Sequence, residues 1–193
     1  MLPNEIDEEI ILLYKNGDRK AFKILIDRYT KSLYNFTARL TNKNDASDIV
    51  QEIFIKVWKN IDHFDEEKAS FKTWIFTIAK NTATDFLRKK KSLLFSDLAK
   101  IENLDLNNEN ENSFAKNIPD ENLLPDEAMQ KLQDSEFLNN TLKKLRPDYQ
   151  EILVLHYQEE MTFEEIGKIL NKPLNTVKSS HRRSIMELRK ILR

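Results

Sequence analysis

Apolar residues recur at intervals of three and four along most of the chain, and from Glu5 to Lys91 they mark successive amphipathic helices. In one of these, Ile49, Val50, Ile53, Phe54, Val57 and Trp58 line a side that should be core, Asp45 stands where it can cap the helix, and Asp48, Gln51 and Glu52 fall on the other face. A second runs from Phe71 to Leu87. There the apolar set Phe71, Trp74, Ile75, Ile78, Ala79 and Phe86 is interleaved with Lys72, Thr73, Thr77, Lys80, Asn81 and Thr82. After a basic cluster, Arg88 to Lys91, the pattern changes over residues 93–130. Asn107, Asn108, Asn110 and Asn112 alternate with Glu109 and Glu111, prolines 119 and 125 punctuate, and Asp97, Asp105, Asp120 and Asp126 outnumber Lys100 and Lys116. This composition predicts a solvated, acidic linker. Helical periodicity returns from Lys131 to Arg193.

Within that last segment the punctuation is sharp. Thr162 followed by Glu165 forms a capping box, with Met161 and Ile166 placed for a hydrophobic staple, so a helix starts there with Phe163, Ile166, Ile169 and Leu170 inward. Pro173 disfavours the helical conformation in its predecessor, which ends the helix at Asn171 and Lys172. A second helix, capped by Asn175 or Thr176, then runs to the end with Val177, Ile185, Leu188 and Leu192 inward. Thr176, Lys178, Ser179, Arg182 and Arg183 fall outward on its first turns, where a helix-turn-helix meets base edges and phosphates. A helical hairpin with a merely solvated cationic face is the plainer alternative. The conjunction of capping box, proline turn and cationic second helix favours the DNA-binding motif. His181 falls on the side facing the core and is expected to pack there.

Composition narrows the class. Only two of the 193 residues are glycine, and 33% are charged against 40% hydrophobic, which fits folded all-α architecture and no turn-rich sandwich or barrel. Two small domains, 1–92 and 131–193, joined by the linker 93–130, account for the length. The absence of cysteine excludes disulfides and thiolate metal sites. An acidic amino terminus unlike a signal peptide, and an apolar run, Ile10 to Tyr14, far short of a bilayer span, predict a cytoplasmic protein without membrane insertion. The net charge of -1 averages basic domain ends against the acidic tether. No Gly-rich phosphate loop, metal-ligand cluster or nucleophile and base pair is present, and His63, His156 and His181 are scattered, so no enzyme, cofactor or metal is expected. Two surfaces stay open on the residues alone. The strip of Asp48, Gln51 and Glu52 can grip a basic partner or simply be solvated, and Trp74 and Phe76 can stack on unpaired bases or belong to the core.

The order of these features closely resembles the extracytoplasmic-function sigma factors of the sigma-70 superfamily. The matching stretches are Asp45-Ala-Ser-Asp-Ile-Val-Gln-Glu-Ile-Phe, Phe71-Lys-Thr-Trp-Ile-Phe-Thr-Ile-Ala-Lys-Asn-Thr, Asp85-Phe-Leu-Arg, Met161-Thr-Phe-Glu-Glu-Ile-Gly and Asn175-Thr-Val-Lys-Ser. The resemblance implies a sigma-2 helical bundle and a sigma-4 helix-turn-helix. It also implies core RNA polymerase as partner, through the clamp helices of its largest subunit and the flap of its second-largest, promoter DNA both as duplex and as non-template single strand, and either an anti-sigma factor or a further factor that recruits the holoenzyme. Asp48, Gln51, Glu52 and Phe54 would grip polymerase. Phe71, Lys72, Trp74, Lys80, Asn81, Asp85 and Arg88, with the loop from His63 to Ser70, would take the downstream promoter element and a flipped base. Thr176, Lys178, Ser179, Arg182 and Arg183 would read the upstream element. The chain departs from the family pattern in the acids Asp65, Glu66 and Glu67 of the capture loop, and in Ser180, His181 and Ser184 of the reading helix. A stand-alone helix-turn-helix regulator is the competing identity.

Overall fold

The computed structural model describes residues 6–98, 137 and 140–192. Among them there are helices, turns and irregular stretches but no strand, as the all-α expectation requires. The order is α1 (Asp7–Lys15), α2 (Ala21–Leu40), α3 (Lys43–Asn60), a single 3-10 turn (Ile61–His63), α4 (Phe71–Leu98), α5 (Pro147–Leu153) running into a π-helical turn (Val154–Gln158), α6 (Phe163–Leu170) and α7 (Leu174–Ile191). The backbone of α4 thus enters the first six positions of the expected linker, and 99–130 lies outside the described residues.

Helices α2, α3 and α4 form the amino-terminal bundle, because each contributes one apolar stripe: Leu25, Leu33 and Phe36 from α2, Ile49, Ile53 and Val57 from α3, Ile75, Phe76 and Ala79 from α4, all buried. Phe36 and Phe76 meet edge to face at 5.3 Å. Polar ties fix the ends. Asp7 accepts from the Tyr29 hydroxyl and pairs with Arg28. Burial, with Asp7 beside it, pushes the Tyr29 phenol up, so it remains a donor. Ser70 caps α4 by accepting from the Thr73 amide at 3.3 Å, and Glu8 of α1 accepts from the Phe71 amide at 3.2 Å.

Four local expectations are corrected. Leu192, expected inward on the last helix, follows the end of α7 at Ile191 and is 53% exposed. Asn42, not Asp45, caps α3, its side chain accepting from the Asp45 amide at 2.9 Å, and Asp45 instead pairs with Lys90 at the far end of α4. Trp58 is 50% exposed. At 100° per residue it lies about 125° from the centre of the stripe built by Ile49, Val50, Ile53 and Val57, so the wheel places it outside. Neither Asn175 nor Thr176 caps α7. The helix begins at Leu174 after an extended Pro173, whose carbonyl accepts from the Thr176 and Val177 amides, so both polar residues sit within the first turn.

The two halves do not stand apart. Ile152, Val154, Leu155, Met161, Ile166, Ile169 and Val177 join the α2–α4 residues in one continuous buried cluster, with α6 packed on α4 and α5 on α2. A smaller cluster of Leu142, Leu145, Tyr149 and Leu153 seats the inner face of α7 through Ile185, Leu188 and Ile191.

Candidate nucleic-acid interface

The helix-turn-helix is α6, its turn and α7. Thr162 and Glu165 complete the capping box reciprocally: the Glu165 amide donates to the Thr162 hydroxyl at 3.3 Å, and the Glu165 carboxylate accepts from the Thr162 amide at 2.9 Å. Helix α6 closes on Asn171 in the left-handed conformation (φ 51°, ψ 49°), and the Lys172 amide reaches back to the Gly167 carbonyl at 2.9 Å. This is a Schellman ending, and it aims the chain through Pro173 into α7. Val177, Ser180 and Ser184 are buried on the inner face of α7. Thr176, Lys178, Ser179, Arg182 and Arg183 are all exposed on the outer one, as expected, and among the described residues no carboxylate pairs with Lys178, Arg182 or Arg183. Small serines at 180 and 184 let the helix sit close to its support, and Ser184 donates to the His181 carbonyl at 2.7 Å. His181 is half-buried among Tyr157, His156 and Phe163, with its Nε2 3.1 Å from the Tyr157 hydroxyl. Burial, then the neighbouring His156, hold its pKa below the usual histidine value.

Helix α4 carries the second group. Asn81 and Arg88 are exposed, Asp85 is half-buried and lies 3.1 Å from Arg88, and Trp74 is half-buried against Phe64 at 5.4 Å. Phe71 is corrected from contact to core: it is fully buried, ringed by Tyr29, Phe64 and Trp74. Its side chain can shape this face only from beneath. Lys72 and Lys80 reach across to the carboxy-terminal half. Lys80 Nζ lies 2.6 Å from Glu151 Oε1, and Lys72 Nζ lies 3.5 Å from Glu159 Oε2 while also donating to the Glu159 main-chain carbonyl. The adjoining loop is anchored by Asp65, whose carboxyl Lys68 and the Glu67 amide hold below its ordinary value, and Lys168 donates to the Lys68 carbonyl at 2.7 Å.

A third surface lies on α3. Asp48, Gln51 and Glu52 are exposed in one row, with Glu52 held 2.9 Å from Lys56, and Phe54 is half-buried against the core rather than part of that row. The row continues into Ile55 and Trp58, 51% and 50% exposed. Sequence reading missed this apolar extension, although the helical wheel contained it: Ile55 follows Asp48 by seven positions and Gln51 by four. The surface is therefore acidic and amide-bearing at one end and apolar at the other, suited to a partner helix with both kinds of side chain. Among the described residues no group of three or more His, Cys, Asp or Glu is placed to hold a metal ion, and no helix is long and apolar enough to cross a membrane.

Comparison with known proteins agrees with this layout. Residues 25–93 match the family model for Sigma-70 region 2, and residues 141–190 match that for Sigma-70, region 4. The chain is 37% identical over 182 residues to the ECF RNA polymerase sigma factor SigW of Bacillus subtilis (strain 168), covering 93% of this chain and 92% of that protein. It is 30% identical over 179 residues to the ECF RNA polymerase sigma-E factor of Haemophilus influenzae, covering 90% and 88%. The fold is similar to that of the sigma factor RpoE of Bartonella quintana, solved with the anti-sigma factor NepR, at a TM-score of 0.66 and 25% identity over 90% of this chain and 97% of that one. With region 2 matched across the amino-terminal half, a stand-alone helix-turn-helix regulator is not favoured. The chain belongs to the extracytoplasmic-function RNA polymerase sigma factors.

Proposed function

We propose that this sigma factor, which directs transcription initiation, divides its work among the three surfaces. The exposed row of α3, Asp48, Gln51 and Glu52 with Ile55 and Trp58, binds core RNA polymerase, with the clamp helices of the largest subunit as the receiving element and Phe54 supporting the row from its inner edge. The polar face of α4, Lys72, Trp74, Lys80, Asn81, Asp85 and Arg88, receives the non-template strand of the downstream promoter element. The outer face of α7, Thr176, Lys178, Ser179, Arg182 and Arg183, reads the upstream element as duplex, and the region-4 half also meets the flap of the second-largest subunit. Residues 1–92 and 131–193 act as the two working units, joined through 93–130. No catalytic step is assigned to any residue, and the chain works in the cytoplasm, where its polymerase is. The anti-sigma factor captured with the Bartonella quintana relative supports the same partner class here.

The observation that supports this best is the outer face of α7. Five residues expected to contact DNA are exposed together, on a helix whose other side is fixed by buried Val177 and by a capped α6. Two substitutions separate the surfaces. Glu52→Lys should abolish assembly with core polymerase without lowering thermal stability, because Glu52 is exposed and its Lys56 contact is a surface pair. Arg182→Ala should leave assembly intact and weaken promoter binding by the holoenzyme, lowering the salt slope by about 1 if the side chain meets phosphate. Co-purification with core polymerase followed by run-off transcription measures both. An intact polymerase complex with Glu52→Lys would remove the α3 assignment.

A further inference from the structure

The loop that leads from the 3-10 turn into α4 is closed at its stem. Phe64 and Phe71, both buried, meet edge to face at 5.7 Å, so the chain leaves the core and re-enters it at neighbouring points. The residues between them are exposed or half-buried. Within the loop the Glu67 amide donates to Asp65 at 3.1 Å, and the Lys68 ammonium lies 2.7 Å from the same carboxylate.

Both sides of the stem are also tied to α1. On the outgoing side, Lys15 Nζ lies 3.4 Å from the carbonyl oxygens of both Asp62 and Phe64. On the returning side, the Glu8 carboxylate accepts from the Phe71 amide at 3.2 Å. Glu8 and Lys15 are two helical turns apart, which puts them within about 20° of each other on the wheel and about 10 Å apart along the axis. They form one polar edge of α1 and meet the two sides of one loop. Holding α1 in place does not require these contacts. Ile10 and Ile11 are buried in the core, and Asp7 fastens the first turn to Arg28 and Tyr29 of α2. The carboxy-terminal half reaches the loop elsewhere, through Lys168 at the Lys68 carbonyl and through Glu165, which accepts from Ser70. Helix α1 also precedes the residues 25–93 matched to region 2.

We propose that Glu8 and Lys15 are positioning residues: α1 acts as a spacer that holds the two sides of the loop stem at a fixed separation, so that the loop meets an unstacked base of the non-template strand already shaped for it. The proposal rests on the loop from His63 to Ser70 being the element that takes the flipped base. Unstacking a base opposes capture, and a loop that must first be ordered opposes it further. One such hydrogen bond shifts an equilibrium by a factor of about two to ten. Lys15 is exposed and its distances are long, so the two residues together should change base capture about fivefold.

The test uses holoenzyme reconstituted from the full chain and core polymerase. Its DNA is a fork that joins the duplex of a promoter recovered by run-off transcription to a single-stranded non-template overhang, made either with bases or with abasic sites. The affinity ratio of the two forks reads base capture, and the abasic fork alone reads duplex and phosphate contact. Glu8→Met with Lys15→Met removes both ties and keeps unbranched side chains that favour a helix. Glu9→Met with Lys20→Met, at exposed residues that make none of these contacts, brings the same charge change. Glu8→Gln with Lys15→Arg keeps an acceptor and a donor.

The expected result is a ratio lowered about fivefold in the Glu8→Met, Lys15→Met protein, unchanged in the control and largely restored in the Glu8→Gln, Lys15→Arg protein. Affinities for polymerase and for the abasic fork should be the same in all of them. Amide hydrogen exchange should accelerate over residues 64–71 and not over α2 and α3, which a general loss of stability would move as well. A ratio that falls no further than the control's overturns the proposal, and so does exchange over 64–71 that stays at the parent's rate. Should the double variant unfold, Lys15→Met alone carries the test, since Lys15 is exposed, and it must lower the ratio and speed exchange in the same segment. The underlying reading is tested separately by Glu66→Ser, Glu67→Gly, Lys68→Ser and Ala69→Gly combined. A ratio unmoved by that replacement removes the loop as the capturing element and the proposal with it, whereas a ratio lost there and kept in the Glu8→Met, Lys15→Met protein removes the role of α1 alone.

Discussion

Replacing Gly167 with alanine probes how the turn of the helix-turn-helix is held. In an ordinary exposed helix the change stabilises by about 0.5–1 kcal/mol, because alanine has less backbone freedom to lose. Here a Cβ on residue 167 would stand 2.9 Å from the Lys172 carbonyl oxygen and 3.9 Å from Val177 Cγ2. The first contact is with backbone, so no side chain can swing aside, and Lys172 is already tied to the Gly167 carbonyl by the closing hydrogen bond of α6. Overpacking of this kind costs about 1–3 kcal/mol. Set against the helical gain, the net loss should be about 0–2.5 kcal/mol, or up to several degrees of melting temperature for a chain of this size. Relief of the clash must displace Lys172 and Pro173, whose carbonyl starts α7, so the reading face should shift with them. Urea unfolding of the full chain measures the first effect, and promoter binding by reconstituted holoenzyme measures the second at unchanged polymerase affinity. Asn171→Gly provides the contrast: the position is left-handed, so glycine should be nearly neutral, whereas Asn171→Ala should cost about 1–2 kcal/mol. A Gly167→Ala protein more stable than the parent would refute the close-approach account.

Other substitutions address single contacts. Thr162→Ala removes one half of the capping box and should cost about 0.5–2 kcal/mol by urea unfolding, with Thr162→Ser recovering most of it. Phe71→Ala should cost about 3–5 kcal/mol because the ring is fully buried, and a loss of DNA binding with stability unchanged would return Phe71 to the contact surface. Burial raises the Glu165 carboxyl, but hydrogen bonds from the Thr162 amide and hydroxyl, Thr73 and Ser70 outweigh it and hold the group below its ordinary 4.5. A depressed carboxyl pKa contributes stability that is complete above the unfolded value and disappears as pH falls through the folded one. The stability advantage of the parent over Glu165→Gln should hold steady above pH 4.5 and shrink below it, and an advantage that grew on acidification would contradict the assigned bonds.

Much of this architecture was legible because it is written at short range. The capping box, the stop before Pro173 and the outward set on α7 all depend on residues within about one or two turns of one another, where side-chain spacing fixes the outcome. The α3 stripe was legible for the same reason, and its one error, Trp58, came from counting an apolar residue as buried without its angle on the wheel. Capping was harder. Asp45 and Asn42 are both competent caps, and the choice fell to Asn42, leaving Asp45 for Lys90, 45 positions away. Phe71 was ambiguous in principle, since an aromatic at helical spacing suits both a core and a stacking platform. Only its neighbours Tyr29 and Phe64, from separate elements, decide it.

The seam between the halves was out of reach of spacing altogether, and it changes the meaning of the charge pattern. A net charge of -1 reads from sequence as basic ends averaged against an acidic tether. In the folded chain some of that cancellation occurs inside the protein, where Glu151 and Glu159 neutralise Lys80 and Lys72, two of the cations of α4. Lys178, Arg182 and Arg183 on the outer face of α7 have no such partner among the described residues and face solvent. The surfaces proposed for the upstream and downstream elements therefore differ in one and the same molecule: the cations proposed to read the duplex are exposed, and two of the lysines proposed to receive the strand are already paired with carboxylates. Long-range attraction to DNA falls on α7, since paired charges project little field beyond a Debye length of about 8 Å. Any phosphate that met Lys72 or Lys80 would have to displace the Glu159 or Glu151 carboxylate already there.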